Sequence, residues 1–528
     1  MSPNRNARGR TLLADEHAHR RPLETAVQRG ARLRRLGDRV DLDAARASRR
    51  RTTPPPTLYG EYSIALAIFT LSATFGAAGL TQGVPRFMAR FDTPEDKRGA
   101  WLTGLGISLG VSSLITVSLL VGSPFLIPRL FETDAAAPMY YVFVVSIPVY
   151  VAFKIGIGGI RGEENTRYKL LTQNLFYPLV RLTLIAALLL LGVGLVGTGV
   201  GYLVALVGVT ILTYKLLSRL FTLRGEYRLH GRQMTAFSAP LVVSTVINVL
   251  LTRTDTLMLG YLRSSELVGI YNAAYPLAGV MLVVLSAFGY MYLPMASRLD
   301  GDEDESVGRI YEVTTKWVYL SVFPMFVTVL VFPSDIVSVA FGAGYAGAGA
   351  ALSILIVGSF TSAAFGRNRE TLSALGATKF IMVSNAVAFV VNVVLNLVLI
   401  PRYGVVGAAV ASTGSYVSLN LVVYGFLRRR FGISPFTRSS MKTYAALPLV
   451  LIPLGFALKR VFPAAVHVGA LPGSVPVIAA FAAVLVVATV TVVVIVGGLE
   501  PEDAILLDFV EDTVGVRVPF VRRFIPED

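Results

Sequence analysis

Thirteen apolar runs, each long enough to cross about 30 Å of hydrocarbon, follow one another along this 528-residue chain. They fall near 62–84, 100–123, 138–160, 171–192, 196–217, 235–256, 267–294, 314–332, 347–365, 379–400, 404–427, 441–458 and 474–497. A backbone in lipid finds no water to bond, so it must satisfy its own N–H and C=O groups, and runs of this length do so as helices. Hydrophobic residues make up 54% of the chain and charged residues 15%, which is more apolar surface than a soluble core of this size needs. The fold class expected is an all-α polytopic membrane protein.

The stretch 58–85, LYGEYSIALAIFTLSATFGAAGLTQGVP, is echoed 209 residues later by LVGIYNAAYPLAGVMLVVLSAFGYMYLP. Gly60 then matches Gly269, Tyr62 matches Tyr271, Ala65 matches Ala274 and Pro85 matches Pro294. Such duplication predicts two related bundles that rock about a central path. We expect an N-terminal bundle over 58–230, a C-terminal bundle over 235–430, an accessory helix pair over 441–497 and a cytoplasmic tail over 500–528.

Charge orients these helices. The loops at 85–99, 161–170, 215–234, 295–316, 366–379 and 427–442 carry 23 arginines and lysines, and the loops between them few. The basic set is therefore expected on the cytoplasmic side. The same parity places residues 1–57 outside, although they hold fourteen arginines against six acidic residues. Subtracting the offset from 235–256 leads to 26–47, too charged to span a membrane. A first helix is thus expected to be lost or replaced, giving thirteen spans here and fourteen in the intact architecture. Residues 1–57 would then be a basic, disordered tail, and the alternative is a genuine arginine-rich segment that binds lipid headgroups.

A net charge of +15 would suggest nucleic acid in a soluble protein. Here the basic residues sit between apolar runs, where anionic lipids and topology explain them. No cysteine is present, and His17, His19, His230 and His467 form no ligand cluster, so neither a metal nor a cofactor is expected. No nucleotide-binding P-loop occurs, which argues against ATP hydrolysis.

From 332 to 411 the chain reads FPSDIVSVAFGAGYAGAGAALSILIVGSF, then RNRETLSALGATKF, then NVVLNLVLIPRYGVVGAAVAS. This resembles the polysaccharide and lipid-linked oligosaccharide flippases of the multidrug, oligosaccharidyl-lipid and polysaccharide exporter superfamily. The likeness rests on a small-residue loop with glycine and tyrosine, a short glycine-lysine turn and an asparagine-rich helix. It ends in a re-entry at Pro401, Tyr403, Gly404, Gly407, Ala408 and Ala409. LYGEYSIALAIF is similar to the start of the family's second helix. The resemblance implies a multi-pass cell-membrane transporter that flips polyprenyl-linked oligosaccharide by alternating access. Its partners would be the lipid-linked oligosaccharide, membrane lipids and glycan-assembly enzymes. A cation-coupled exporter of drugs or small amphiphiles is the same-fold alternative, and a membrane glycan polymerase or ligase is the enzymatic one.

Ionisable groups within a span are costly unless they line water, pair or snorkel, so they are the candidate site residues. Arg181 lies near mid-membrane with Asn174 and Tyr177 one or two turns before it, suited to clamping a phosphate. Lys154 either contacts phosphate or snorkels. Arg253 and Asp255 stand two apart and so point to different faces; Asp255 is a candidate for ion coupling. Asn392 and Asn396 share a face, and both interhelical bonding and sugar recognition suit them. Tyr271, Asn272 and Tyr275 could offer faces to sugars. Arg86, Arg90, Arg298 and Arg367 belong to the cytoplasmic rim.

Overall fold

The computed structural model describes residues 54–133, 136–296, 303–461, 474–501 and Asp503. The expectations for the basic tail, for the missing first helix, for Arg298 and for the tail beyond Asp503 lie outside the described residues. All of the regular structure described is helical.

In chain order the helices are α1 (Pro56–Gly76), α2 (Leu80–Arg90), α3 (Pro94–Val121), α4 (Ser123–Leu130), α5 (Ala136–Gly162), α6 (Thr166–Lys169), α7 (Tyr177–Leu190), α8 (Gly194–Leu217) and α9 (Gly231–Leu262). They continue as α10 (Ser265–Ala296), α11 (Glu303–Val331), α12 (Pro333–Phe341), α13 (Gly349–Ala364), α14 (Asn368–Ala374), α15 (Thr378–Phe431), α16 (Arg438–Lys459) and α17 (Ser474–Val496). A π-helical segment, Leu170–Phe176, joins α6 to α7.

Among the described residues, twelve helical segments are long and apolar enough to cross a membrane. The longest has 53 residues, well over twice the length one crossing takes at about 1.5 Å per residue. It is broken at Gly404, whose backbone (φ 55°, ψ −124°) is not helical and lies where glycine is favoured. The chain folds back there. Asn392 and Asn396 before the break and Ser412 after it meet on one carboxylate, that of Asp255. A Cβ at Gly407 would run into the Leu399 carbonyl. The Arg263 guanidinium donates to the carbonyls of Ile400 and Pro401, bracing the turn. Counted as two, the halves of α15 bring the crossings to the thirteen read from the sequence.

Small residues set how closely the crossings pack, because membrane helices associate through contact rather than through expulsion of water. After Lys154, Gly156 faces Thr213 and Tyr214 of α8, and Gly159 faces Leu217. The sequence duplication has a direct counterpart. A Cβ on Gly60 of α1 would overlap the carbonyl of Ser265 at the start of α10, and one on Gly269 of α10 would overlap that of Pro56 at the start of α1. Positions 56 and 265 are themselves 209 apart, as are 60 and 269. These two contacts are therefore one contact seen from both sides of a pseudo-two-fold axis.

The accessory pair α16 and α17 packs on α11, with Leu451, Phe481, Val327 and Phe332 in one buried cluster. Just past α17 the chain is clasped to α11: Lys316, 1% exposed, pairs with Glu500 at 2.8 Å and Asp503 at 2.7 Å. The Trp317 indole donates to the other Asp503 oxygen at 2.8 Å. Removing one partner of a buried ion pair costs about 3–5 kcal/mol. Lys316→Ala should accordingly lower the melting temperature of the purified protein by several degrees, measured by intrinsic fluorescence, while Glu500→Gln, at a partly exposed site, should lower it less.

Candidate functional site

Two polar constellations lie inside the helical array. The first is on the wall of the N-terminal bundle that faces its partner. The π-helical turn Leu170–Phe176 carries Asn174, which is exposed, and delivers the chain into α7, where Tyr177 and Arg181 follow one turn apart. Such turns recur at functional sites, since one extra residue re-aims everything after it. The Arg181 guanidinium lies 5.3 Å from the Tyr177 ring centre and 5.6 Å from that of Tyr202. The Tyr177 hydroxyl donates to that of Tyr202 at 2.8 Å. One helix away, the Lys154 ammonium lies 5.4 Å from the Tyr150 ring and 6.0 Å from Phe153, and Phe153 packs on Tyr177 with ring centres 5.3 Å apart.

Among the described residues neither Lys154 nor Arg181 has a carboxylate within ion-pair distance. Ring faces hold both cations. A ring contact of this kind contributes roughly 0.5–2 kcal/mol without neutralising the charge, so the field of both groups stays available to an anion. Arg253, from the C-terminal bundle, completes the arrangement: Arg181 and Arg253 both lie within electrostatic reach of the Tyr62 hydroxyl on α1. Arg253 also acts on Tyr59 and Tyr275. Charges from the two bundles thus both act on one tyrosine of α1.

The second constellation is internal to the C-terminal bundle. Asp255, 1% exposed, accepts hydrogen bonds from the Tyr271 hydroxyl at 2.6 Å, Asn392 Nδ2 at 2.9 Å, Asn396 Nδ2 at 2.6 Å and the Ser412 hydroxyl. As the two-residue spacing predicts, Asp255 and Arg253 diverge, one into the bundle and one towards the interface. Of the two readings open for Asn392 and Asn396, the geometry is that of interhelical bonding, and both are fully buried. Tyr271 likewise faces inward, Asn272 bonds Thr256 and the Val268 carbonyl, and Tyr275 shares a 2.8 Å hydrogen bond with Tyr416. Tyr271 and Asn272 turn inward because amides and hydroxyls in a dry bundle take the nearest partner, while Tyr275 is half-buried. The small void beside this cluster is walled by Asn392, Ser412 and Tyr416.

At the end of the array opposite the basic loops, the two bundles are closed on each other. Besides the paired glycine contact, the Tyr59 hydroxyl reaches the Asn272 carbonyl at 3.4 Å. The loop after α4 is fastened at two carboxylates: Glu61 accepts from the Thr133 amide at 2.9 Å and hydroxyl at 2.8 Å, and Glu132 accepts from the Ser265 amide at 3.0 Å. At the basic end, Arg86 and Arg90 are exposed, with the Arg86 guanidinium 4.4 Å from the Phe237 ring of α9. Arg367 bonds the Leu285 carbonyl.

Sequence reasoning passed over Tyr150, Tyr202, Ser412 and Tyr416. Each is a polar group inside an apolar run, the one signal that marked them, and each becomes meaningful only beside a partner from another helix.

Comparison with known proteins bears on this array. A model of the family described as "Polysaccharide biosynthesis protein" matches residues 55–300, and the MatE family model matches residues 240–398. A structure of the lipid II flippase MurJ in an inward closed conformation superposes with a TM-score of 0.60 at 13% identity, covering 81% of this chain and 92% of that one. An inward-facing multidrug resistance MATE family transporter of the MOP superfamily gives 0.54 at 16% identity, covering 74% and 97%. The two family models together span residues 55–398, and the chain belongs to the multidrug, oligosaccharidyl-lipid and polysaccharide exporter superfamily.

Among relatives of this superfamily, Agl15 of Haloferax volcanii, described as a "probable low-salt glycan biosynthesis flippase", is 23% identical over 231 residues. That stretch is 44% of this chain and 49% of Agl15, so the match spans about half the relative's length. The "probable flippase" AglR of the same organism is 25% identical over 362 residues, 66% of this chain and 73% of AglR. Membership accounts for the duplicated bundles and for the multi-pass helical array.

Proposed function

We propose that this transporter flips a polyprenyl-linked oligosaccharide or polysaccharide repeat unit from the cytoplasmic to the outer leaflet by alternating access, for surface glycan assembly or protein glycosylation. The observation that carries the reading is that Arg181 and Arg253, from different bundles, both act on Tyr62 of α1, with Lys154 and Arg181 held by rings and, among the described residues, no carboxylate within ion-pair distance of either. A sugar phosphate headgroup cannot enter hydrocarbon without losing its water, which costs several kcal/mol for each unpaired polar group, roughly. An interface offering guanidinium donors and tyrosine faces replaces that water, with paired hydrogen bonds to phosphate and ring stacking on sugars. The lipid tail stays in the bilayer.

By the positive-inside rule the basic end is cytoplasmic, so the closed glycine contact lies at the outer face. Asp255 is the proposed coupling group. Its oxygens and those of Asn392, Asn396 and Ser412 could hold a monovalent cation, or the carboxylate could take a proton, and either would change its claim on donors from three helices. The MatE match over 240–398 includes this carboxylate and favours, as a second reading, a cation-coupled exporter of small amphiphiles. Against it, the groups at the interface suit an anion.

Cells lacking the gene should accumulate lipid-linked oligosaccharide on the cytoplasmic face, and expression of the chain should restore its sidedness. Arg181→Ala should abolish that rescue. Arg181→Lys keeps the charge but not the planar fork and should retain only partial flux. Normal sidedness in the Arg181→Ala strain, with expression matched, would remove the clamp from the mechanism. Normal sidedness in the deletion strain, with other flippases deleted too, would turn the assignment to the amphiphile exporter.

A further inference from the structure

We propose that the C-terminal bundle carries a separate phosphoanion site at its basic end, a vestibule built around Arg367 and Arg369. A cavity of about 430 Å³ opens there between α10, α14 and the second half of α15, within the size range of small-molecule sites. Its polar lining includes Arg367, Arg369, Asn368 and Asn420, with Glu370 as the one acidic member.

The hydrogen bonds of this lining show what it lacks. Asn368 donates to Asn420 at 3.0 Å, and Asn420 in turn donates to Ser362 at 3.0 Å and to the Tyr416 carbonyl at 2.8 Å. Ser286 bonds the Leu282 carbonyl at 2.8 Å, and Tyr416 shares its hydroxyl with Tyr275. The amides and hydroxyls are thus braced within the protein. The guanidinium groups keep donors to spare. Arg367 donates to the Leu285 carbonyl at 3.1 Å and pairs at 3.0 Å with Glu370, an exposed side chain, yet its Nε is buried without a hydrogen-bond partner. Arg369 has no ion pair among the described residues and acts electrostatically on Tyr416. The cavity therefore offers a surplus of N–H donors and a net positive charge even after Glu370 is counted. Arginine forks match phosphate oxygens in pairs.

Gly289 supports the reading from the opposite wall. A Cβ there would overlap the Arg367 guanidinium, so the helix is cut back to let that group lie across the cavity floor. The ligand is a phosphate or diphosphate group, and either a lipid carrier or free phosphate could supply it. Under the lipid source this site rests on the proposed flippase activity, as a loading station distinct from the interface around Arg181.

The test is binding to purified full-length protein in detergent, with inorganic pyrophosphate and polyprenyl diphosphate as probes and polyprenol as the uncharged control. Arg369→Gln should weaken pyrophosphate binding at least about tenfold, as loss of charge-assisted bonds does. Gly289→Ala, which displaces Arg367 without altering charge, should also weaken it. Arg181→Ala should leave this binding measurable. Tighter binding of polyprenyl diphosphate than of pyrophosphate, with the same variant pattern, identifies a lipid headgroup as the ligand; equal binding identifies free phosphate. Pyrophosphate binding unchanged in both Arg369→Gln and Gly289→Ala, or absent from the parent protein, overturns the site. Defective sidedness in Arg181→Ala cells would still uphold the flippase reading in that event, so the two can fail separately.

Discussion

Gly60→Leu should halt transport by holding the outer face open. The Cβ position of Gly60 is filled by the Ser265 carbonyl, a backbone atom that cannot rotate away, so the bundles must part where α1 crosses α10. Overpacking of this kind costs about 1–3 kcal/mol. Charged only to the closed state, that shifts the balance towards the open state by roughly 5–150-fold. Gly269→Leu should do the same, because the Pro56 carbonyl meets it in the symmetry-related contact. The double variant should add little to either, since both disturb one interface. The chain has no cysteine, so a single Tyr59→Cys replacement reports access without background. A membrane-impermeant thiol reagent added from outside should label it slowly in the parent and quickly in the leucine variants. Unchanged labelling together with normal flux would show that this contact does not gate the outer face.

Asp255→Ala should cost more than any other single substitution in the C-terminal bundle. It removes the acceptor shared by Tyr271, Asn392, Asn396 and Ser412 at once, and each donor left buried and unpaired costs about 1–3 kcal/mol. The expected result is poor expression and early unfolding in detergent. Asp255→Asn separates stability from coupling, because it keeps the shape and one acceptor while removing the ionisable group. It should reach the membrane in near-normal amounts and lose the dependence of transport on an ion gradient. Transport by Asp255→Asn that still follows the gradient would exclude this carboxylate as the coupling group.

The clustering around Asp255 shows how far sequence reasoning reaches. Asp255, Asn392 and Asn396 stand out at once as polar groups in apolar runs, because the cost of burying them is a local property. Their partnership is not local: 137 residues separate Asp255 from Asn392 and 157 separate it from Ser412, and nothing in the spacing of one helix says which other helix it will touch. For the same reason Tyr271 and Asn272, which suit sugars when considered alone, turn out to face inward. Arg181 was legible as a mid-membrane cation. The ring faces of Tyr177 and Tyr202 that hold it without neutralising it were not, since Tyr202 comes from α8 and Tyr177 is aimed by a π-helical turn that no composition signals.

What the amino-acid order determined by itself was the set of thirteen crossings, their alternation across the bilayer and the duplication at 209 residues. All three follow from the free energy of single segments in water and lipid, summed residue by residue along the chain. Only tertiary packing decided that Gly60 and Gly269 meet across a pseudo-two-fold axis, that Arg181 and Arg253 act on one tyrosine while Asp255 is sealed away, and that Arg367 lies along the wall of a cavity. Those outcomes depend on which helical faces come together, and that is settled by steric fit among small residues and by the need of each buried polar group for a partner on another helix.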